Sequence, residues 1–320
     1  MAAILLRRAS FGGSPEEVQM CHKYGMETAV QFILEGKQPG HTGKMETERL
    51  RPPELKTMPT LPRSKSSSSQ AQATTAEKNL VRMQNEWLNR MLSAAAPKEK
   101  MVLFWHGMLT SSYRKTESSQ FMIIQNQLFR DHAFGSYLDL VKKIIVDPAM
   151  VMYLDIDKNT RSNPNENFAR ELLELFTLGE GNYKPEEIKL LAKKVVGFQA
   201  RKPARDSVEF EEKEIRKMFA YAGYTDAAKR ASKVVGELAD KAIFGELVCK
   251  RLWRYYVSTT ENPAAIKAMY EKLRESKWQI KPMLYELFTS EVFFKTAHEE
   301  KQIKCPVQYI VQGHKELGLK

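Results

Sequence analysis

Cysteine is scarce in this chain, and several familiar chemical motifs are missing. The 3 cysteines, Cys21, Cys249 and Cys305, are odd in number and widely spaced. This spacing argues against a disulfide framework and against a cysteine-based metal site. We find no glycine-rich phosphate loop, no Ser-His-Asp arrangement and no zinc-type histidine pair in the sequence. The sequence therefore gives no support for a nucleotide or nicotinamide cofactor.

Long apolar runs are missing as well. No apolar stretch approaches the roughly 20 residues that a transmembrane helix needs. The opening residues, Met1 to Arg8, place two arginines after a very short apolar stretch, which is the reverse of a secretory signal. We therefore expect a cytoplasmic protein, or a periplasmic or extracellular one if a leader was trimmed and a start methionine added.

Positive charge is in excess. The chain has 50 Lys and Arg residues against 39 Asp and Glu, a net charge of +11. Such an excess favours anionic partners, namely nucleic acid, anionic lipid or anionic polysaccharide. Because the charge is spread along the chain and not gathered in one tract, a generally basic surface is the better interpretation, and nucleic-acid binding is the weaker one.

The hydrophobic pattern predicts an all-α protein. Apolar residues recur at helical spacing along most of the chain, and no sustained alternation indicates a strand. We expect one domain over residues 1–320, an irregular multi-helix bundle organised around a central helix. Residues 37–78 are rich in proline and serine and carry excess positive charge, which is typical of a flexible insert.

The central helix is predicted over about 163–178. Asn163 is a good N-cap, Pro164 suits the first helical position, and Glu166 completes a capping box. Gly179 supplies the C-terminal stop. At helical spacing the apolar face contains Phe168, Ala169, Leu172, Leu175 and Phe176, and the polar arc contains Glu166, Asn167, Arg170, Glu171, Glu174 and Thr177.

The residues before this helix have the spacing of a calcium loop. The side chains predicted as ligands are Asp155, Asp157, Asn159, Asn163 and Glu166, with the Arg161 carbonyl completing the set. Thr160 stands where a glycine normally makes the sharp turn. The alternative is a polar loop in which Glu166 binds backbone N–H groups of a capping box. Calcium is the only cofactor that the sequence suggests.

The polar arc is also a candidate active site. Glu166, Arg170 and Glu171, approached by His106 from another helix, could supply an acid and a base for glycoside or lyase-type chemistry. The alternative is structural, because Glu166–Arg170 and Arg170–Glu174 are i,i+4 pairs that stabilise a helix without catalysis. His106 itself follows Trp105 on an apolar helix, where a lone histidine is more often a core residue.

Several motifs resemble one bacterial family. They are Leu5-Leu6-Arg7-Arg8-Ala9-Ser10-Phe11-Gly12, Phe104-Trp105-His106-Gly107, Gln125-Asn126-Gln127-Leu128-Phe129-Arg130, Asp147-Pro148-Ala149-Met150, the stretch 163–181, Lys250-Arg251-Leu252-Trp253 and Ile303-Lys304-Cys305-Pro306-Val307. The chain is similar from end to end to the DUF1800 family, whose function is unknown. The resemblance singles out Asn126, Arg130, His132, Asn167 and Glu174 as further residues of a pocket.

The resemblance also implies a setting for the function. Many DUF1800 members look exported and accompany sulfatase-like proteins, which suggests polysaccharide or cell-surface chemistry. This chain departs from the family pattern at Met108, Leu109 and Phe198, and the segment after Phe198 is shortened and contains no histidine through residue 240. The first hypothesis is therefore an enzyme-like protein that uses the polar arc. The second is a non-catalytic, cation-stabilised scaffold beside a sulfatase-like partner.

Overall fold

The computed structural model describes residues 1–36, 69–93, 95–160, 162–198 and 224–319. These residues form seventeen α-helices. In chain order they are α1 Ala2–Ala9, α2 Pro15–Tyr24, α3 Met26–Glu35, α4 Ser69–Leu92, α5 Ala96–Met108, α6 Tyr113–Thr116, α7 Ser119–Asp131, α8 Tyr137–Ile144, α9 Pro148–Tyr153, α10 Glu166–Glu171, α11 Pro185–Lys194, α12 Tyr224–Ala239, α13 Glu246–Tyr256, α14 Pro263–Glu275, α15 Ile280–Thr289, α16 Glu291–Glu299 and α17 Pro306–Glu316.

The all-α prediction is confirmed. A 3₁₀ turn, Ile156–Lys158, precedes α10, and a π-helical segment, Leu172–Thr177, follows it directly. The only β-type pairing within the described ranges is one antiparallel bridge between Ser136 and Gln279. Among the helices described, none is both long and apolar enough to span a bilayer.

One large cluster of buried side chains connects the two ends of the chain. It contains residues from α1 through α16, from Ala2 to Phe293, with the fully buried Trp105 and Trp253 among its largest members. This continuity favours the single-domain prediction.

Of the predicted insert, residues 37–68 lie outside the described ranges. The prediction of a flexible insert is wrong for residues 69–78, because helix α4 begins at Ser69. These residues include alanine and glutamine, which favour a helix even where no apolar periodicity is present.

The central helix is present, but its start and its last turns differ from the prediction. The N-cap is Asn165, whose side chain accepts the Asn167 N–H at 2.9 Å, and not Asn163. Glu166 is therefore the first residue of the helix and not the third position of a capping box. The expected stop is confirmed at Gly179, which has a φ of +88° and whose N–H bonds to the Leu173 carbonyl.

The π-helical segment changes which side chains face the core. A π-helix has i→i+5 hydrogen bonds and more residues per turn than an α-helix, so the side chains after Glu171 point in directions that differ from those of a regular α-helix. Leu173 is buried, while Leu175, predicted to be in the core, is exposed. Thr177, predicted on the polar arc, is buried and donates its hydroxyl hydrogen to the Leu172 carbonyl at 2.6 Å. A uniform 100° rotation per residue could not predict these two changes.

Two buried cations hold α1 against the rest of the chain. The Arg8 guanidinium donates to the carbonyls of Val257 and Ala297, both at 3.0 Å, and to that of Glu300. From α5, the Lys100 ammonium donates to the Ser10 carbonyl at 2.8 Å and the Arg7 carbonyl at 3.3 Å, so it caps the end of α1.

The Lys100 ammonium also lies among aromatic rings. The centroids of Phe11, Tyr255 and Tyr256 are 6.0, 5.7 and 6.0 Å from Nζ, within the range of a cation–π interaction. Burial, with a smaller contribution from the charge of Arg8, lowers the pKa of Lys100 to about 7. Lys100 lies on an apolar helix, and nothing in the sequence around it predicts that its ammonium group is buried among carbonyls and aromatic rings.

The lowered pKa of Lys100 predicts an unusual pH dependence of stability. The unfolded chain keeps this lysine protonated up to about pH 10, whereas the folded chain releases the proton near neutrality. From about pH 7 to about pH 9 the unfolded state therefore binds more protons, and the free energy of unfolding should gain about 2 kcal/mol from this group. Lys100→Met should lose that gain in denaturant titrations at the two pH values.

The matched control is Lys267→Met, because the side chain of Lys267 is 75% exposed. This variant should keep the same pH dependence as the wild type. An identical pH dependence in the wild type and Lys100→Met would show that the buried ammonium stays protonated throughout.

Candidate functional site

The predicted polar arc of the central helix lies on its outward side. Asn167 and Arg170 are exposed, and Glu166, Glu171 and Glu174 are half-buried. The two predicted ion pairs, Glu166–Arg170 and Arg170–Glu174, do not form among the residues described. The arc therefore presents charged groups without i,i+4 pairing, and intrahelical stabilisation does not account for them.

Two carboxylates of the arc have different surroundings. Glu174 accepts a hydrogen bond from the Tyr183 hydroxyl, which reaches across from the residues before α11. Partial burial, then the charge of Glu174, raises the pKa of Glu171, and Arg170 opposes that shift. The hydrogen bond to Glu174 raises the pKa of Tyr183. Glu171 thus tends to keep a proton, while Glu174 is an acceptor beside a phenol.

His106 does not join this group. Its ring lies on α5 in T-shaped contact with Trp87, at a centroid distance of 5.3 Å, and with Phe129, at 6.4 Å. Burial lowers its pKa. No hydrogen bond or ion pair among the described residues links His106 to Glu166, Arg170 or Glu171. The structure therefore places it as an aromatic-packed core histidine, the alternative that its position on an apolar helix suggests.

Arg130 and Asn126, predicted to line a pocket, belong to a buried ion-pair network. The Arg130 guanidinium binds Glu99 through both carboxylate oxygens, at 2.6 and 2.8 Å. It also donates to Asn126 Oδ1 at 2.7 Å and to Gln127 Oε1 at 3.2 Å. These bonds join α5 to α7 and account for Asn126 and Arg130 without a ligand.

His132 ends α7 at its C-cap position. Partial burial, followed by the charge of Lys143, lowers the pKa of His132. No hydrogen bond among the described residues links the His132 ring to Arg130 or to the polar arc.

The residues of the predicted calcium loop make other contacts. The Asp155 carboxylate binds the ammonium groups of Lys115 at 2.7 Å and Lys158 at 2.5 Å. Asn159 is buried; its amide donates to the Ala192 and Val195 carbonyls, and its Oδ1 accepts the Asn165 N–H at 2.8 Å. The side chain of Asn159 thus connects the loop to α11 and to the start of α10.

The remaining ligand positions do not converge. Asn163 is exposed, Asp157 and Glu166 are half-buried, and Arg161 lies outside the described residues. Within the described ranges no group of three or more His, Cys, Asp or Glu side chains is arranged to hold a metal ion. Calcium binding stays a prediction, and it would require Asp155 to release two lysines.

A buried carboxyl group lies at the start of α9, and no pattern in the sequence predicts its burial. Asp147 caps α9 through the Met150 N–H at 3.0 Å and also accepts from Gln125 Nε2 at 2.8 Å. Gln125 in turn accepts the Ser111 hydroxyl hydrogen. Burial raises the pKa of Asp147 to about 7. The motif Asp147-Pro148 signals the cap, but only packing shows that the carboxyl group is buried.

An open cavity lies elsewhere, between α3, α14 and α15. Its volume is about 310 Å³, and its charged lining is paired, Lys272 with Glu286 at 2.7 Å and Lys281 with Glu35 at 3.6 Å. None of the site residues predicted from the sequence lines it. Among the described residues, the polar arc therefore lies outside this cavity.

Comparison with known proteins identifies the family. The family model described as "Protein of unknown function (DUF1800)" matches residues 4–318. The chain belongs to the DUF1800 family. No curated protein and no solved structure matches it.

The DUF1800-like motifs divide into two groups in the structure. Those containing Arg8, Arg130 and Asp147 place their polar side chains in buried contacts between helices. The motif of the central helix is different, because its charged residues face outward. In this DUF1800 protein the polar arc is therefore one set of motif residues that face outward, and Ile303 and Lys304 of the last motif are exposed as well.

The Arg130–Glu99 contact predicts a large cost for removing one charge. The side chains of Glu99 and Arg130 are 1% and 11% exposed, so Glu99→Gln leaves a buried guanidinium without its counter-ion. We expect the free energy of unfolding to fall by about 3 kcal/mol or more. Glu237→Gln, which breaks the exposed Lys194–Glu237 pair, should cost much less, because solvent screens an exposed ion pair. If both variants lose equally little free energy of unfolding, Arg130 does not depend on Glu99, and its guanidinium could line a pocket instead.

The revised helix cap gives a second stability prediction. Asn159→Ala leaves two carbonyls and one N–H without partners in a buried loop, and it should cost about 2 kcal/mol or more. Asn163→Ala removes an exposed side chain that forms no hydrogen bond with any described residue, and it should change stability by less than about 0.5 kcal/mol. Thermal or denaturant unfolding distinguishes them. A cost of about 1 kcal/mol for Asn163→Ala would restore it as the cap.

The same two variants, with calcium or EDTA added, also test the calcium loop. A calcium-dependent rise in the wild-type melting temperature that both variants lose would support the loop as a metal site. No response to calcium in the wild type would rule it out.

Proposed function

We propose that this DUF1800 protein performs acid–base chemistry on an acidic polysaccharide or cell-surface glycan at the polar arc of its central helix. The observation that carries the proposal is the pair Glu171 and Glu174. Both are half-buried on one outward face, and their surroundings differ: partial burial and the charge of Glu174 raise the pKa of Glu171, whereas Glu174 accepts a hydrogen bond from Tyr183. Two carboxyl groups in different surroundings are the usual arrangement for an acid and a base.

The roles follow from the contacts. Glu171, whose pKa is raised, is the proton donor to the leaving oxygen of a glycosidic bond. Glu174 is the acceptor that removes a proton from the attacking water, and Tyr183 orients it through its hydrogen bond. Arg170 is exposed and unpaired among the described residues, which suits a carboxylate or sulfate group of the glycan. The net charge of +11 favours the same anionic substrate class.

The π-helical segment supports a functional use of this face. Such segments are rare and occur frequently at functional sites. Here the segment Leu172–Thr177 follows Glu171 and contains Glu174. The carboxyl groups thus lie where the helix departs from regular geometry.

A second function is favoured by one specific observation. Among the described residues, His106 packs against Trp87 and Phe129 and makes no hydrogen bond or ion pair with the polar arc. A charged face that lacks this histidine suits binding as well as turnover, so the alternative is a non-catalytic scaffold that holds the glycan beside a sulfatase-like partner.

The test is a panel of acidic polysaccharides assayed for new reducing ends. The wild type should release product from at least one of them, and Glu171→Gln and Glu174→Gln should each lower kcat by about 100-fold or more. Activity should fall as the pH rises through the raised pKa of Glu171, because the donor then loses its proton. Glu180→Gln, an exposed carboxylate close by in the sequence, is the matched control and should change kcat less than about twofold.

The two functions predict different results. Glycan binding that Arg170→Ala weakens, without any product, would favour the scaffold. Full activity in both Glu171→Gln and Glu174→Gln would contradict the assignment of the acid and the base.

A further inference from the structure

The last helix of the described chain exposes an apolar face. Helix α17 packs inward through Val311 and Gln312, which are 2% and 3% exposed. Outward it presents Tyr309 and Ile310, which are 70% and 66% exposed, and Leu317 follows at 74%. At 100° per residue these three fall within one arc of about 100°, together with Gly313.

The loop that enters α17 extends this surface. Ile303 is 93% exposed, the highest value among the large apolar residues described. Gln302, its neighbour, donates to the Tyr255 carbonyl and so fixes the loop against α13. We call Ile303, Tyr309, Ile310 and Leu317 the C-terminal ridge. Exposed apolar side chains that recur on one face of a helix mark an interaction surface more often than isolated ones do.

An excess of positive charge lies beside the ridge. Lys301 and Lys304 flank Ile303, and Arg254 belongs to the same region, with its carbonyl 3.5 Å from Gln302 Nε2. All three are exposed, and none forms an ion pair among the described residues. Of the two neighbouring carboxylates, Glu300 is half-buried, accepts a hydrogen bond from Ser258 and interacts with the charge of Arg8, while Glu299 is exposed. Three exposed cations against one exposed carboxylate leave this edge of the ridge positive.

We propose that the C-terminal ridge is a docking surface for an anionic lipid membrane. Apolar side chains enter the boundary between headgroups and acyl chains, while lysine and arginine bind the lipid phosphates, and both components are present here. A soluble polyanion would use the cations but would have no use for Tyr309, Ile310 and Leu317. A second copy of the chain would bury the apolar face but would bring together two molecules of net charge +11, which repel each other.

The mode of docking is peripheral. Helix α17 has 11 residues and keeps its opposite face in the protein, so only the outward side chains enter the lipid. Each exposed aromatic or aliphatic side chain adds to membrane affinity, and salt weakens the contribution of the lysines.

The experiment is sedimentation of the full chain with vesicles. Vesicles of phosphatidylcholine with phosphatidylglycerol should bind the protein, vesicles of phosphatidylcholine alone should bind it at least about tenfold more weakly, and added salt should reduce binding. The double variant Tyr309→Ser with Ile310→Ser should lower partition by about tenfold or more. Leu190→Ser, which alters an exposed leucine on α11, is the matched control and should bind as the wild type does.

Two results would overturn the proposal. In the first, the wild type does not bind anionic vesicles, and in the second, the double variant binds them as well as the wild type does. Sedimentation velocity tests the alternative occupant, because a dimer lost in the double variant, without lipid binding, would assign the ridge to self-association. The ridge residues are exposed, so an unchanged melting temperature shows that the variants fold. Glu171→Gln should bind vesicles normally, which separates this proposal from the glycan chemistry.

Discussion

The fold depends on two buried basic side chains, Arg8 and Lys100, which donate to five backbone carbonyls. Arg8 donates to the carbonyls of Val257 after α13, Ala297 in the last turn of α16 and Glu300 after α16. Lys100 donates to the carbonyls of Arg7 and Ser10 at the end of α1. A buried carbonyl without a partner costs free energy, and so does a buried donor without an acceptor, and each of these hydrogen bonds satisfies one of each. The Arg8 contacts can therefore form only when α1 and the last third of the chain are correctly placed.

The same principle recurs along the chain. Glu99 with Arg130 joins α5 to α7, Asp147 with Gln125 joins α9 to α7, and Asn159 joins its loop to α11. In each case a buried polar side chain has one geometry that satisfies it, so it fixes how two helices meet. Irregular helical proteins have no sheet to set register. Here these polar contacts supply that constraint within an otherwise apolar core.

The exposed features have a different character. Among the described residues, the polar arc of the central helix contains carboxylates without ion pairs, and the C-terminal ridge contains exposed apolar side chains. The arc lies where the helix becomes π-helical, and the ridge lies beside cations that form no ion pair with any described residue. The two surfaces are chemically distinct, since one suits a polar substrate and the other suits a lipid boundary.

Local patterns in the sequence determined the helical class, most helix positions and the family, because apolar periodicity and terminal residues such as Gly179 act over a few neighbouring residues. The outward position of Arg170, Glu171 and Glu174 followed from the same periodicity. Tertiary structure decided the rest. Asn165 became the cap because the distant α11 binds Asn159, and the π-helical segment moved Leu175 outward and Thr177 inward. Burial also lowered the pKa of Lys100 and raised the pKa of Asp147. Burial depends on packing by residues far away in the sequence, so local spacing cannot predict these shifts.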